Sequence, residues 1–250
     1  MEIVHSKNRH PFPKILVAAP THESKNYCWE QWSDRIQNLT YPNYDVFLAD
    51  NSLNKNNKEL IEKKGFKAKH ISQNTKGLLY TIRDSHNECK KYALENKYDY
   101  LLHIETDVIP PYDVIERLLA HKRLVVGGIY DIFYGKKRKL MIQLPEEYDK
   151  SVNSYRKVAW AEHLEPSFFD GKVKSVYHAG IGCMLIAKEV LENIKFRVEK
   201  GTDFFPDTWF ANDCYAYNIP IFVDTNIQCK HLNFTWLVNL DEIQKLANEK

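Results

Sequence analysis

The sequence lacks the features that mark membrane-spanning, disulfide-bonded and zinc-binding proteins. None of its apolar runs reaches the length of about 18 residues that a membrane-spanning helix needs. The segment Met1–His10 has no apolar core of the signal-peptide kind. The five cysteines are odd in number, scattered and never spaced as CxxC, which predicts neither a disulfide framework nor a zinc site. We therefore expect a cytoplasmic protein with reduced thiols and no integral membrane segment.

An excess of either charge is also missing. Lysine and arginine together number 35, against 33 aspartates and glutamates, and the net charge of +2 favours neither nucleic acid nor an anionic membrane as a general partner. The one dense basic run, Lys136–Lys139, is interpreted as a hairpin tip, with contact to a phosphate-bearing acceptor as the alternative. Repeats and low-complexity segments are absent, while 44% hydrophobic residues in a chain of 250 suffice to bury a sizeable core.

Short apolar runs alternate with amphipathic segments through the first half of the chain. They predict strands at 14–19, 44–49, 68–71, 100–104 and 124–130, with helices at 26–38, 58–64, 81–95 and 111–121. This alternation predicts an α/β fold with a mostly parallel sheet and helices on both faces. Between 131 and 174 the pattern becomes irregular and indicates hairpins and loops, where we expect acceptor contacts. A last helix is predicted at 239–249.

Two carboxylates, Glu105 and Asp107, follow the strand predicted at 100–104 and precede a Pro-Pro pair. In an open α/β sheet, ligands bind beyond the carboxyl ends of the strands. Two acids at that edge can hold a divalent cation, which in turn holds phosphate oxygens. The alternative is a solvated turn, since acidic residues before proline are common in turns.

Other polar residues lie where a nucleotide would meet the same edge of the sheet. Pro20, Thr21 and Glu23 follow the first strand, and Asp50 follows the second. The Asp50 carboxylate could accept hydrogen bonds from a base imide or a ribose hydroxyl. It could equally form a turn with the Asn-Ser pair that follows it.

Further candidates lie on helices and turns later in the chain. Arg83 and Asn87 are four apart on a predicted helix and therefore point the same way. The Arg83 guanidinium could bind a diphosphate or a base, or it could simply be solvated. Gly180 and Gly182 leave room for a backbone to approach a ligand, or they mark a bulge. Asp207 precedes a helix, where an N-cap or first-turn acid is its structural alternative.

The order of these motifs resembles that of family 2 glycosyltransferases, which have the GT-A fold, and the likeness extends from about Lys14 to His231. The matching segments, in chain order, are Ala19-Pro20-Thr21 with Glu23 (first nucleotide loop), Asp50-Asn51-Ser52 (acidic motif of the second strand), Arg83 with Asn87 (Arg–Asn helix), Glu105-Thr106-Asp107 (DxD motif with Glu in first place), Asp207 (the Asp of the Glu-Asp motif) and His231 (late metal-binding histidine). The Arg–Asn spacing is wider than is usual in the family, and Pro206 stands where a Glu is often found.

The resemblance implies a single GT-A-like domain over 1–250, with a donor-nucleotide half at about 14–130 and an acceptor half at about 131–235. It also implies a metal-dependent enzyme that moves a sugar from a UDP- or GDP-sugar to an acceptor hydroxyl. The acceptor would be a glycan, a small molecule or a modified nucleic-acid base.

The resemblance further implies roles for the matched residues. Asp107 is the expected direct metal ligand and His231 a further one, while Glu105 reaches the metal or the ribose. An imidazole ligand favours Mn²⁺ over Mg²⁺. Asp207 is the expected base of an inverting transfer, with Asp213 in reserve. The nucleotide would be bound by Pro20, Thr21, Glu23, Asp50, Arg83, Asn87, Glu105 and Thr106.

Other functions stay open at this point. A nucleotidyltransferase uses a related sheet and also pairs acids around a metal, but its glycine-rich basic loop is missing because 20–24 contains no Gly, Lys or Arg. A non-catalytic module of the same fold could bind sugars on aromatic side chains, which are 13% of the chain and which a packed core also uses. A retaining mechanism also stays open, and a nucleic-acid acceptor rests only on the basic run and nearby Tyr134.

Overall fold

The computed structural model describes residues 12–134, 137–149, 154–160 and 170–232. The strands are β1 Ile15–Thr21, β2 Tyr44–Asp50, β3 Lys67–His70, β4 Tyr100–Ile104, β5 Val108–Ile109, β6 Val125–Ile129, β7 Asp131–Tyr134, β8 Lys137–Leu140, β9 Ile142–Asp149, β10 Ser154–Trp160, β11 Val173–Val176, β12 His178–Ala179, β13 Cys183–Ala187, β14 Ile221–Gln228 and β15 Lys230–His231. The α-helices are α1 Trp29–Gln37, α2 Asn56–Lys63, α3 Leu78–Glu95, α4 Val114–Ala120, α5 Lys188–Asn193 and α6 Pro206–Ala216, and a 3₁₀ helix spans Glu23–Cys28. None of these helices is both long and apolar enough to cross a membrane.

Eight strands form one mixed sheet in the order β3-β2-β1-β4-β13-β6-β14-β11. β1 pairs in parallel with β2 and β4, β2 with β3, and β6 with β14. In contrast, β13 runs antiparallel to β4 and β6, and β11 runs antiparallel to β14. The predicted mostly parallel sheet is therefore confirmed. The carboxyl ends of β1, β2 and β4 meet at one edge.

Helices pack on both faces of the sheet, as the alternating pattern predicts. On one face, Trp32 of α1, Ile61 of α2 and Ile115 of α4 are fully buried in one apolar cluster. On the other face, Cys89 of α3 and Phe210 of α6 belong to a second cluster, which also includes side chains of α5. Burying a large apolar side chain contributes about 1.5–3 kcal/mol. The two clusters thus fix the strand ends that carry the candidate residues.

The helix predicted at 26–38 begins earlier, as the 3₁₀ helix that starts at Glu23. His22 caps it, because the His22 Nδ1 atom accepts the N–H of Ser24 at 3.0 Å. The N–H of Lys25 donates to the carbonyl oxygen of His22 at 2.9 Å. The 3₁₀ helix ends at Cys28, and α1 begins at the next residue. Lys25 is consequently held just beyond the carboxyl end of β1.

The hairpins predicted between 131 and 174 are confirmed for the described part of that segment. β7 pairs with β8, and β9 pairs with β10, in both cases antiparallel. The interpretation of the basic run as a hairpin tip is wrong for Lys137–Lys139, which lie in β8 and pair with β7. Lys136 and the helix predicted at 239–249 lie outside the described residues. β9 also pairs with β12, which sets His178 opposite Gln143.

Candidate functional site

Glu105, Asp107 and His231 come together at the carboxyl edge of the sheet. The two acids lie in the loop between β4 and β5, and His231 lies in β15. β15 pairs antiparallel with β5, so that His231 is opposite Val108 and beside Asp107. One potential ligand atom from each of the three side chains lies within 4.8 Å of the others. These three residues form a group that could hold a metal ion.

The contacts of Asp107 and His231 leave two acceptor atoms facing each other. Nδ1 of His231 lies 2.7 Å from the carbonyl oxygen of Asp131, so this nitrogen is the donor, and in the neutral form of the ring Nε2 carries the lone pair that a metal needs. Nε2 lies 3.5 Å from Oδ2 of Asp107. Both atoms are buried and have no hydrogen-bond partner in the part of the chain that the structure describes. A cation between them would satisfy both.

A lysine from the 3₁₀ helix compensates part of the negative charge. The ammonium of Lys25 lies 2.8 Å from Oδ1 of Asp107 and 3.8 Å from Oε2 of Glu105. Burial alone would raise the pKa of Asp107, but Lys25 and the protonated form of His231 stabilise the carboxylate and lower its pKa to about 2. Burial raises the pKa of Glu105 against the opposing effect of Lys25. Burial would also lower the pKa of Lys25, yet the two carboxylates raise it.

The loops after β1, β2 and β4 are tied together by hydrogen bonds. The hydroxyls of Thr21 and Thr106 are 3.1 Å apart and buried. The N–H of Asn51 donates to the carbonyl oxygen of Thr21 at 2.9 Å. The N–H of Glu23 donates to Oγ of Ser52 at 2.8 Å. Pro20 and Thr21, predicted to follow the first strand, are instead the last two residues of β1, because both pair with β2. The structure thus joins the carboxyl end of β1 and Glu23 to the loops that follow β2 and β4.

Asp50, predicted to follow the second strand, is the last residue of β2, and its fully buried carboxylate is engaged by neighbouring side chains. Its Oδ1 atom accepts hydrogen bonds from the Ser52 hydroxyl at 2.6 Å and from Nδ2 of Asn57 at 2.8 Å. Its Oδ2 atom lies 3.4 Å from Nδ1 of His70. The turn-forming alternative is therefore present in the structure. A contact between Asp50 and a nucleotide stays a prediction.

Arg83 and Asn87 are not brought to the acidic group by any hydrogen bond or ion pair among the described residues. Arg83 donates through Nε and Nη2 to Oδ1 of Asp84, at 2.8 and 2.6 Å, and its guanidinium lies over Tyr80. Asn87 exchanges two hydrogen bonds with the backbone of Phe196, at 2.7 and 3.2 Å. The Asn87 amide thus holds the segment after α5 against α3. The ligand roles of Arg83 and Asn87 stay predictions.

Asp207 lies in the first turn of α6, next to a buried histidine that the sequence analysis did not single out. Oδ1 of Asp207 accepts the N–H of Thr208 at 2.8 Å, and Oδ2 lies 3.6 Å from Nε2 of His178. Burial would raise the pKa of Asp207, but His178 and the backbone N–H groups outweigh it and lower the pKa. The negative charge of Asp207 also contributes, as the smallest of several causes, to the raised pKa of Glu105.

Asp213, the reserve candidate for the base, has a structural partner. Its two carboxylate oxygens accept hydrogen bonds from Nε and Nη2 of Arg197 at 2.8 and 2.9 Å. This bidentate pair occupies the carboxylate, and Asp207 is the better-placed candidate of the two.

The two glycines singled out in the turn before β13 make room for an internal side chain. Tyr130 accepts the N–H of Gly182 at 3.0 Å through its hydroxyl oxygen. A Cβ atom at either Gly180 or Gly182 would collide with the Tyr130 ring or hydroxyl. The Tyr130 ring packs edge-on against His231, with centroids 5.4 Å apart. These glycines therefore allow Tyr130 to support the candidate metal ligand.

Lys25 and His178 are the two residues that sequence reasoning missed. Lys25 lies one position beyond 20–24, the segment in which a basic loop after the first strand is expected. His178 carries no comparable signal, because its approach to Asp207 depends on the pairing of β12 with β9 and on a 2.6 Å hydrogen bond from the Tyr177 hydroxyl to Asn212 of α6.

The similarity of this chain to known proteins lies in the fold and not in the sequence. No protein-family model and no curated protein matches the sequence. S. aureus TarS 1–349 in complex with UDP is 14% identical, with a TM-score of 0.54 over 87% of this chain and 60% of that one. A longer S. aureus TarS chain is 16% identical, with a TM-score of 0.55, and this chain spans only 37% of its length. CMP:2-keto-3-deoxy-manno-octonic acid synthetase, complexed with CTP, is 11% identical, with a TM-score of 0.52 over 94% of this chain and 99% of that one.

At these identities the comparisons establish the fold alone. The chain has the α/β architecture of GT-A-like nucleotide-diphospho-sugar transferases, with a mostly parallel mixed sheet. The predicted fold class is confirmed.

Proposed function

We propose that the chain is a metal-dependent glycosyltransferase that uses a UDP- or GDP-sugar and transfers the sugar to an acceptor hydroxyl. One observation carries the proposal: Oδ2 of Asp107 and Nε2 of His231 lie 3.5 Å apart, buried and without a hydrogen-bond partner among the described residues. Two carboxylates and an imidazole suit Mn²⁺ better than Mg²⁺. Bound there, the cation would stabilise the charge that develops on the leaving diphosphate.

The donor nucleotide is assigned to the joined loops of the half at about 14–130, and the acceptor to the half at about 131–235. The segment of Pro20, Thr21 and Glu23 is tied to the loops after β2 and β4, which supports a preformed nucleotide site. The roles proposed for Asp50, Arg83, Asn87 and Thr106 in nucleotide binding follow from the family resemblance.

Asp207 is proposed as the base of an inverting transfer. The proton of the acceptor hydroxyl passes to the Asp207 carboxylate as the new bond from that oxygen to the sugar forms and the bond from the sugar to the diphosphate breaks. The lowered pKa of Asp207 supports this role because it keeps the carboxylate ionised before the acceptor arrives.

A nucleotidyltransferase is the second candidate, and Lys25 is the observation that favours it. The sequence argument against this class is the lack of a glycine-rich basic loop after the first strand. Lys25 supplies a basic residue that reaches both acids, whereas the glycines are still missing from that loop. Such an enzyme would release diphosphate from a nucleoside triphosphate. A glycosyltransferase would release UDP or GDP from a nucleotide sugar.

The test is a thermal-shift screen of UDP-, GDP- and CDP-linked sugars and of CTP, each with Mn²⁺ or with a chelator. A ligand that binds only the native state raises the melting temperature with the logarithm of its excess over Kd. The proposal expects a Mn²⁺-dependent shift with one nucleotide-sugar class, and expects Asp107→Asn to abolish that shift. Glu30→Gln is the control, because Glu30 is an exposed acid that pairs with Lys64.

The other outcomes of the screen separate the alternatives. A shift with CTP alone, followed by release of diphosphate on turnover, would favour the nucleotidyltransferase. Donor binding without any turnover would favour a non-catalytic binding module. No shift with any nucleotide, in a folded protein, would contradict the proposed donor site.

A further inference from the structure

A hydrogen-bonded backbone turn places Lys25 beside Glu105 and Asp107. Its N–H is bonded to the carbonyl oxygen of His22 at 2.9 Å, and its own carbonyl oxygen accepts the Cys28 thiol at 2.9 Å. The same thiol lies 3.1 Å from the carbonyl oxygen of Thr106. The Lys25 side chain is only 22% exposed. Lys25 therefore differs from the flexible surface lysines, whose ammonium groups are free to move in solvent.

The charges around Lys25 indicate what its ammonium does. Asp107 is wholly buried, and a buried carboxylate without a counter-charge is strongly unfavourable. When no metal is bound, the Lys25 ammonium supplies that counter-charge through its 2.8 Å contact with Oδ1. A divalent cation that binds Asp107 and Glu105 has to share both carboxylates with this ammonium. Like charges at such short range repel each other, more strongly in a buried site than in water.

We infer that the Lys25 ammonium neutralises the carboxylates of Glu105 and Asp107 while the metal is absent and turns to the donor diphosphate when the metal binds. This inference rests on the proposed function. Two carboxylates and one divalent cation sum to zero charge, which leaves the negative charge of a bound diphosphate uncompensated. The long flexible side chain of lysine lets its ammonium move between the two partners while the backbone stays in place.

The first measurement is a calorimetric Mn²⁺ titration of the full chain without nucleotide. Lys25→Met removes the competing cation and is expected to bind Mn²⁺ at least tenfold more tightly than the wild type. Lys64→Met is the matched control, because Lys64 forms a 3.2 Å ion pair with the exposed Glu30 and its loss changes the net charge equally. Lys64→Met is expected to bind Mn²⁺ like the wild type.

The second measurement is a titration of UDP or GDP, whichever the screen identifies, at saturating Mn²⁺. Lys25→Met is expected to bind the nucleotide at least tenfold more weakly, while Lys64→Met keeps the wild-type affinity. Lys25→Gln provides a second variant if Lys25→Met does not fold, because its amide can still donate to Asp107 without adding a charge. It is expected to show the same two changes.

Two results would overturn the inference, and they differ in what they imply for the proposed function. Equal or weaker Mn²⁺ binding by Lys25→Met and Lys25→Gln, with clear binding by the wild type, contradicts the role of Lys25 alone. An absence of Mn²⁺ binding by the folded wild type and both variants contradicts the metal site and the inference together.

Discussion

Nε2 of His178 lies 3.6 Å from Oδ2 of Asp207. His178 is 2% exposed, and neither of its ring nitrogens has a hydrogen-bond partner among the residues that the structure describes. Asp207 sits in the first turn of α6, while His178 sits on β12. The Tyr177 hydroxyl bonds to Asn212 of α6 at 2.6 Å and holds the strand against the helix. An imidazole that carries its proton on Nε2 can donate to the carboxylate proposed as the base and orient it.

Replacing His178 therefore tests a positioning role. His178→Leu is expected to lower kcat about tenfold or more with an unchanged KM for the donor, because general-base catalysis depends on geometry. His178→Gln should recover much of the loss, since its amide can donate in place of Nε2. The measurement is release of UDP or GDP from the donor that the thermal-shift screen identifies.

A second histidine–aspartate pair supplies the control for His178. His121 lies 2.8 Å from Asp224, and neither residue belongs to the candidate site. His121→Leu should leave kcat unchanged. If His178→Leu and His178→Gln lose activity equally, with KM altered as much as kcat, the imidazole has only a packing role.

Asp207→Asn separates donor binding from transfer. The substitution keeps the shape of the side chain but removes the carboxylate that would accept the proton. We expect the Mn²⁺-dependent thermal shift with the nucleotide donor to persist, while transfer falls by at least about a hundredfold, the lower range for general-base catalysis. Asp213→Asn, which breaks the ion pair with Arg197, tests the reserve candidate. Normal transfer by the Asp207 variant would refute its assignment as the base.

The parts of the site that follow single strands could be predicted from the sequence. Glu105 and Asp107 follow the buried strand β4, which pairs in parallel with β1. Parallel pairing places the carboxyl ends of both strands at the same edge of the sheet. His231 was placed by resemblance alone, because β15 and its partner β5 are two residues long and leave no periodic pattern. Its approach to Asp107 is a consequence of tertiary pairing.

The helix α3 shows where local reasoning stops. The four-residue spacing of Arg83 and Asn87 predicts one helical turn between them, and the Asn87 amide donates to the Arg83 carbonyl oxygen at 3.0 Å. Spacing cannot reveal that the Asn87 amide is engaged by Phe196, which is 109 positions away. Lys25 illustrates a different limit, because its side chain contacts Asp107, which lies 82 positions later in the sequence.

The two nitrogens of His231 allow its ligand role to be separated from its structural role. His231→Asn retains a donor that can reach the carbonyl oxygen of Asp131, which Nδ1 contacts at 2.7 Å, but removes the atom that faces Asp107. We expect at least tenfold weaker Mn²⁺ binding by calorimetry and a melting temperature close to that of the wild type in chelator. A variant with a much lower melting temperature that still binds Mn²⁺ with the wild-type affinity while it is folded would assign His231 a structural role only.

The stability of the fold should fall as the pH drops below the ordinary histidine pKa, because two buried histidines are kept neutral. Nδ1 of His103 lies 2.6 Å from the carbonyl oxygen of Ile181, and its Nε2 lies 3.0 Å from Nδ1 of His86. Burial lowers the pKa of His103 from 6.5 to about 4 and lowers that of His86 well below 6.5. The unfolded chain therefore binds protons that the native chain does not, so this contribution is fully present above pH 6.5 and is lost as the pH falls towards 4. The slope is about 1.4 kcal/mol per pH unit for each such proton.

Urea unfolding of the wild type and of His86→Asn, at pH 7.5 and at pH 5, measures this linkage. The asparagine amide can still donate to His103, but it cannot be protonated. His86→Asn should be less stable at pH 7.5, because it loses the stacking of the His86 ring on Phe196. The stability gap between the two proteins should narrow by roughly 1–2 kcal/mol at pH 5, since the variant lacks one of the protons that the unfolded wild type binds. A gap of the same size at both pH values would mean that His86 is protonated as readily in the native protein as in the unfolded chain, which its burial against His103 and Phe196 should prevent.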